Sequence, residues 1–150
     1  MKYIAHRGNL NGPNPDKENN PEYIAEALKQ GYDVEIDVWY EDNRYFLGHD
    51  KPQYEVDIRF LKNSRFWCHA KNINALKTML NHNINCFWHE DDSVTLTSKG
   101  LIWTFPGKPL TKMSICVMPE IIGNEYFNSK SWKECHGVCS DFVKEIKNGR

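Results

Sequence analysis

Near the start of the chain, the segment IAHRGN ends a short apolar run in His6, Arg7 and Gly8, and further on YDVEIDVWYEDNRYFLGHD adds Glu35, Asp37 and His49. Brought together, these residue types can move protons and hold charge. Imidazoles titrate near neutrality, so His6 and His49 can divide the roles of acid and base. Arg7 can bind an anion. Glu35 and Asp37 stand two residues apart, so in an extended chain both side chains leave the same face. Two carboxylates on one enclosed face repel each other, and a divalent cation between them relieves the repulsion. The alternative is the wet side of an edge strand. It is the weaker reading, because Val34, Ile36 and Val38 need cover on their own face and a parallel barrel encloses both faces.

Such a cluster needs strands whose polar ends meet. KYIAH, YDVEIDVWY, YFLGHD, FWCHAK, INCFWHE, LIWTF, SICVM and GVCSD read as strands. NNPEYIAEALKQG reads as a helix, with Asn20 as its cap, Pro21 in the first turn, Gly31 as its stop and an apolar stripe of Ile24, Ala27 and Leu28. VDIRFLKN predicts a helix from Asp57, NINALKTMLNHN carries Ile73, Leu76 and Leu80 at helical spacing, and FVKEIKNG closes the chain as a helix. This alternation predicts an α/β fold with a mainly parallel sheet. About seven strands ending in polar residues favour a reduced TIM-like (β/α) barrel, whose site lies at the C-terminal strand ends. A standard barrel takes about 250 residues, so some crossovers here must be short or non-helical. An open doubly wound sheet is the alternative.

The 150 residues suit a single domain spanning 1–150, and the aromatic-rich composition suits a packed core. A net charge of −1 gives no electrostatic reason to expect nucleic acid or an acidic membrane surface as partner. The five cysteines are odd in number and mostly sit in apolar runs, which suggests buried free thiols in a reducing compartment. The first residues lack the apolar run of a signal peptide, and no segment approaches a membrane span. A soluble, cytoplasmic protein is the expectation. The oligomeric state is left open.

The segments HRG, ENN, VEIDV and GHD, in this order and at these distances, resemble the glycerophosphodiester phosphodiesterase family, which shares its phosphodiesterase barrel with the phosphatidylinositol-specific phospholipases C. The resemblance runs from Tyr3 to Asp50. HAKN around Lys71 is similar to the family's next strand, which bears a Glu-x-Lys pattern. GVCSD is weakly similar to its closing strand, where Thr-Asp is usual. Nothing between Asn72 and His136 matches. The resemblance implies that His6 and His49 are the acid–base pair, that Arg7 contacts the phosphate, and that Glu35 and Asp37 hold a divalent metal such as Mg, Ca or Mn. It also implies that Glu18, in the position of a Pro-Glu-Asn-Thr motif, sits near that metal, and that Lys71 steadies the phosphate charge. The activity implied is metal-dependent hydrolysis of a small phosphodiester. Those residue types suit it: in-line attack at phosphorus needs one group to take a proton, another to give one, and cations beside the non-bridging oxygens.

Three departures from the family pattern bear on the site. His69 stands where the family has its third metal-binding glutamate. An imidazole there favours a transition ion over calcium, and the alternative is a histidine that packs beside Trp67. KPQYEV replaces a long insertion, which predicts a more open site. The middle of the chain carries its own polar groups in FWHEDD, IWTFPGK and VMPE. There, His89, Glu90, Trp103 and Glu120 fall at or just after strand ends. His89 and Trp103 are candidates for binding substrate, while Trp88 reads as core. Glu120, on the face shared by Ser114, Cys116 and Met118, is a candidate replacement for the missing metal glutamate. Asp91 and Asp92 read as a solvated turn, and His82 and His136 carry no assignment. Two other functions fit the same residues. One is a non-catalytic module that binds a phosphate ligand, and the other is a metal hydrolase of small phosphate esters.

Overall fold

A computed structural model describes residues 1–149. Its ten strands form one sheet: β1 (Lys2–His6), β2 (Asp33–Glu41), β3 (Arg44–Leu47), β4 (Tyr54–Val56), β5 (Phe66–Ala70), β6 (Cys86–Phe87), β7 (Val94–Leu96), β8 (Ile102–Thr104), β9 (Ser114–Val117) and β10 (Gly137–Ser140). The helices are α1 (Pro21–Lys29), α2 (Ile58–Leu61), α3 (Ile73–Asn81), α4 (Asn124–Ser129) and α5 (Val143–Lys147). Parallel pairing runs in the order β6, β5, β2, β1, β10, β9, β8. Strands β3, β4 and β7 join by antiparallel pairing. The sheet is therefore mixed, which corrects the expectation of a mainly parallel one. The cause is local. Asp42 and Asn43 both take positive φ, 49° and 60°, and close a two-residue hairpin whose twist suits antiparallel strands.

The sheet curls. Strands β6 and β8 lie at opposite ends of the parallel run, yet the rings of Phe87 and Trp103 stack with centroids 4.5 Å apart. Across the same seam the Ser98 amide donates to the Cys86 carbonyl at 2.8 Å. Among the described residues no ladder joins β6 to β8, so side chains and a loop bridge the seam. The architecture is barrel-like α/β.

Curling separates two apolar clusters. Inside, Ile4, Trp67, Phe87, Trp103, Ile115 and Cys139 meet in one layer. Outside, Val34, Ile36, Val38, Cys68 and Ala70 pack against Ile24 and Ala27 of α1 and Ala75 and Met79 of α3. The expected helices form, but in α3 the buried residues are Ala75 and Met79, while Ile73 and Leu80 of the expected apolar stripe are exposed. Asn20 accepts from the Glu22 amide, Asp57 from Phe60 and Asn72 from Ala75. The strand expected across YFLGHD stops at Leu47. Gly48 has φ 151°, and a Cβ there would sit 2.1 Å from the Lys51 carbonyl oxygen, so the chain turns into a loop that frees His49. The connection from β8 to β9 carries no helix. All five cysteines are free and buried. Among the described residues no helix is long and apolar enough to cross a membrane.

Candidate active site

Parallel strands bring the polar ends of β1, β2, β5 and β10 to one mouth. His6 ends β1, and the chain then reverses through Arg7 at φ 52° and Gly8 at φ 93°. A Cβ on Gly8 would lie 2.9 Å from the Tyr23 ring, so the turn needs glycine there. The reversal lays Arg7 across the strand ends. Its Nε lies 3.0 Å from Asp37 Oδ2, and its Nη1 donates to Glu18 Oε2 at 3.0 Å. Glu18 does reach the cluster, as a partner of Arg7 and of Asn9, whose Nδ2 donates to its other oxygen at 2.8 Å.

Glu35 and Asp37 leave the same, inward face of β2, and both are buried. Their surroundings differ. Asn19 donates to Asp37 Oδ2 at 2.9 Å and accepts from the Asp37 amide at 2.9 Å. His69 Nδ1 lies 3.1 Å and Lys71 Nζ 3.8 Å from Asp37 Oδ1. Burial pushes the Asp37 carboxyl up, but His69, Arg7 and Lys71 together outweigh it and hold the group well below the usual carboxylate range. Glu35 has fewer cations close by. Burial, and after it the charge of Asp37, raises its carboxyl above the usual range. The two carboxylates share a face but not an electrostatic environment.

Glu35, Asp37 and His69 form a group whose donor atoms all lie within 4.8 Å of one another. His69 Nε2 lies 3.0 Å from the His89 carbonyl oxygen. A carbonyl only accepts, so Nε2 carries a proton and Nδ1 is the ring atom turned toward the carboxylates. Asp37 Oδ1 is buried and has no hydrogen-bond partner. The imidazole of His69 also stacks on Phe87, at 5.2 Å and 8°. It packs, then, but on Phe87, and it faces the carboxylates as well.

His6 is held from the far edge. Its Nδ1 lies 2.8 Å from Asp141 Oδ1, just past β10, and its Nε2 lies 3.9 Å from Glu35 Oε2. Burial lowers the imidazole pKa, but Asp141 and Glu35 outweigh it and the net shift is upward. Asn9 donates to the same Asp141 oxygen at 2.8 Å. Asp141 and Asn9 join the cluster at this mouth, and the sequence reading missed both. The only signal was the acidic residue ending GVCSD, and only the pairing of β1 with β10 gives it meaning.

Two cavities of about 480 and 470 Å³ open at this mouth, and His6, Arg7, His49 and Met118 line both. The first continues along Glu18, Asn19 and Asp141. The second continues along Glu35, His69, Lys71, His89, Glu90 and Trp103. His49 is 43% exposed, with Nδ1 2.7 Å from its neighbour Asp50. Trp103 is only 4% exposed, so most of its ring is barrel interior and only an edge meets the cavity. His89 Nδ1 lies 2.9 Å from Asp92 Oδ1, and Asp92 also accepts from the Glu90 amide. Asp92 stays partly exposed in the turn expected there, and these two bonds tie the turn together.

Glu120 does not join the metal-ligand group, which corrects its expected role. Strand alternation stops at Val117. Met118 takes φ 46°, and a 3-10 turn over Pro119–Ile122 redirects the chain. Glu120 Oε1 instead accepts from Ser140 Oγ at 2.8 Å and from the Asp141 amide at 3.0 Å. It supports the residue that holds His6.

No protein-family model, curated protein or solved structure matches the chain. The chemistry of the mouth is read from its own groups.

Proposed function

We propose that the protein is a metal-dependent phosphodiester hydrolase of the glycerophosphodiester phosphodiesterase type, built on a reduced TIM-like barrel. The observation that carries this reading is the position of His6 and His49 on cavities shared with Arg7, with Glu35 and His69 in the wall of one and Asp37 buried beside them. Two imidazoles beside buried carboxylates are the equipment for acid–base cleavage of a diester. A binding protein needs the cations but not the pair.

The residues fit a divalent ion. Asp37 Oδ1 is buried without a hydrogen-bond partner and lies 3.1 Å from Nδ1 of His69. An ion held by Glu35, Asp37 and His69 would supply positive charge beside the non-bridging phosphate oxygens. The single nitrogen donor favours manganese, cobalt, nickel or zinc over calcium or magnesium. Lys71, on the cavity wall, adds a second positive charge there. Arg7 binds two carboxylates and so shapes the mouth, and its remaining donors can reach a phosphate. His6, oriented by Asp141, exchanges a proton at Nε2. His49 exchanges the other from the exposed rim. Between them they deprotonate the attacking hydroxyl, of substrate or of water, and protonate the leaving oxygen.

The experiment is turnover of bis(p-nitrophenyl) phosphate against p-nitrophenyl phosphate, with manganese, zinc, magnesium and calcium each added. Faster release from the diester supports the reading. Faster release from the monoester would assign a small phosphate-ester hydrolase instead. A binding module is favoured by one observation, that His49 pairs with its own neighbour Asp50 rather than with a group of the site. Saturable binding of the diester without turnover under any ion would select it.

A further inference from the structure

The opposite mouth of the barrel, where the strands begin, holds a third concavity of about 480 Å³. It shares no lining residue with the two cavities at the catalytic mouth. Its volume falls within the range of small-molecule sites, roughly 300–1,000 Å³. We propose that this mouth binds a small organic anion, with a phosphate or carboxylate group on a compact apolar or planar body.

The charge comes from three separate parts of the chain. Lys2 opens β1, Lys62 follows α2, and Lys99 lies in the turn that leads to β8. Against these three lysines the lining offers one carboxylate, Asp33, which is already engaged. Lys2 Nζ lies 3.1 Å from Asp33 Oδ2, and the Trp67 indole donates to the same oxygen at 3.2 Å. Lys99 Nζ donates to the Asn83 carbonyl at 2.9 Å, which holds the ammonium at the rim without neutralising it. The whole chain has a net charge of −1, so this surplus of cations is a local segregation. Its counterpart is the carboxylate-rich catalytic mouth.

Like charges converging on a concavity raise its potential, and low-dielectric walls focus the field. An anion relieves that repulsion. The walls also select for a body behind the charge. Leu61, Ile84 and Trp67 are almost wholly buried, and they back the cavity with apolar surface. Asn63, Ser64 and His136 place polar groups around it. A compact ligand with one charged end fits this division better than a bare ion. The proposal does not depend on the reaction at the catalytic mouth.

The test is titration of the ¹⁵N-labelled protein with phenyl phosphate and, separately, benzoate, in metal-free buffer containing a chelator. The amides of Lys62, Asn83 and Lys99 and the Trp67 indole should shift and saturate, and binding should weaken as salt is added. Response to phenyl phosphate alone marks a phosphate ligand, to benzoate alone a carboxylate ligand, and to both a site that reads charge. The double variant Lys62→Glu/Lys99→Glu alters two exposed side chains, so the fold should be retained, and affinity should fall at least about tenfold. Lys71→Gln, at the catalytic mouth, should leave these shifts unchanged. No saturable shift with either probe overturns the proposal. So does binding that survives the double charge reversal intact.

Discussion

Strand β2 has two buried faces made of opposite materials. Outward, Val34, Ile36 and Val38 pack under the helices, and each is fully buried. Inward, Asp33, Glu35 and Asp37 are 7%, 2% and 0% exposed. Burial alone therefore does not separate a stabilising face from a functional one. The outward residues stabilise the fold by roughly 1.5–3 kcal/mol each through removal of apolar surface from water. The inward carboxylates cost several kcal/mol each in desolvation, on the order of what their partners return. Arg7, Lys71, Asn19 and His69 offset Asp37 in particular. A hydrocarbon layer continuing Ile4 and Ile115 would fill the same space at lower cost. The expense of the inward face is the mark of a site.

Substitutions on the two faces should separate these roles, and the largest effect should come where the roles overlap. Asp37→Asn removes the charge that holds Arg7 and Lys71, leaving a buried guanidinium short of a partner. Destabilisation of about 3 kcal/mol is expected, together with loss of metal binding. Chemical denaturation and calorimetry with manganese measure the two effects. Unchanged stability would mean that Glu18 alone suffices for Arg7. Ile36→Ala should also cost roughly 2–5 kcal/mol, through lost burial and a cavity. It should leave turnover per folded molecule unchanged, and a change there would mean that the faces are coupled.

The next effects concern chemistry more than stability. His6→Ala and His49→Ala should each lower diester turnover at least ~100-fold, the low end for acid–base groups. The melting temperature should move little for His49→Ala, which alters a largely exposed side chain, while His6→Ala also takes a partner from buried Asp141 and should cost some stability. Near-normal turnover in either variant removes that histidine from the mechanism. Glu35→Gln keeps shape and removes the less compensated charge. Metal affinity should fall at least about tenfold, while stability without metal stays equal or rises as repulsion from Asp37 is relieved. A clear loss of stability would show that Glu35 is held as firmly as Asp37.

The front of the site was legible in the sequence because its signals are local. The alternation around Glu35 and Asp37, the cap at Asn20 and the polar end of β1 each need only a few neighbouring residues. The back was not legible, because it depends on closure. His6 meets Asp141 across 135 positions, and no periodicity reports that. Strands β4 and β7 have three residues each, too few to show a period of two. Glu120 was misplaced by extending strand alternation through Met118, where the left-handed backbone ends it. Asp37 was legible only in part. Its spacing from Glu35 was plain, but the groups that hold it, Arg7 after β1, Asn19 in the first loop and Lys71 after β5, come from distant parts of the chain.

The smallest effect expected is a change of metal preference at His69, and it tests whether the inward face is tuned as well as charged. His69 pairs in register with Asp37 across β2 and β5, so its ring cannot leave the group without disturbing the strands. An imidazole ligand would give the ion one negative charge fewer than a glutamate would, and a nitrogen in place of an oxygen. Initial rates at fixed free ion concentration should therefore be higher with manganese, cobalt or zinc than with calcium. His69→Glu should move the preference toward calcium or magnesium by restoring an oxygen donor. His69→Ala should weaken binding of every ion, and it should also cost stability through the lost stack on Phe87. The two consequences are separable. A His69→Gln variant keeps much of the packing and offers only a weak neutral donor, so it should lose the transition-ion preference while keeping most of the stability. If wild type prefers calcium and the alanine variant leaves the whole metal series unchanged, His69 serves only to pack against Phe87, and Glu35 and Asp37 hold whatever ion is used without it.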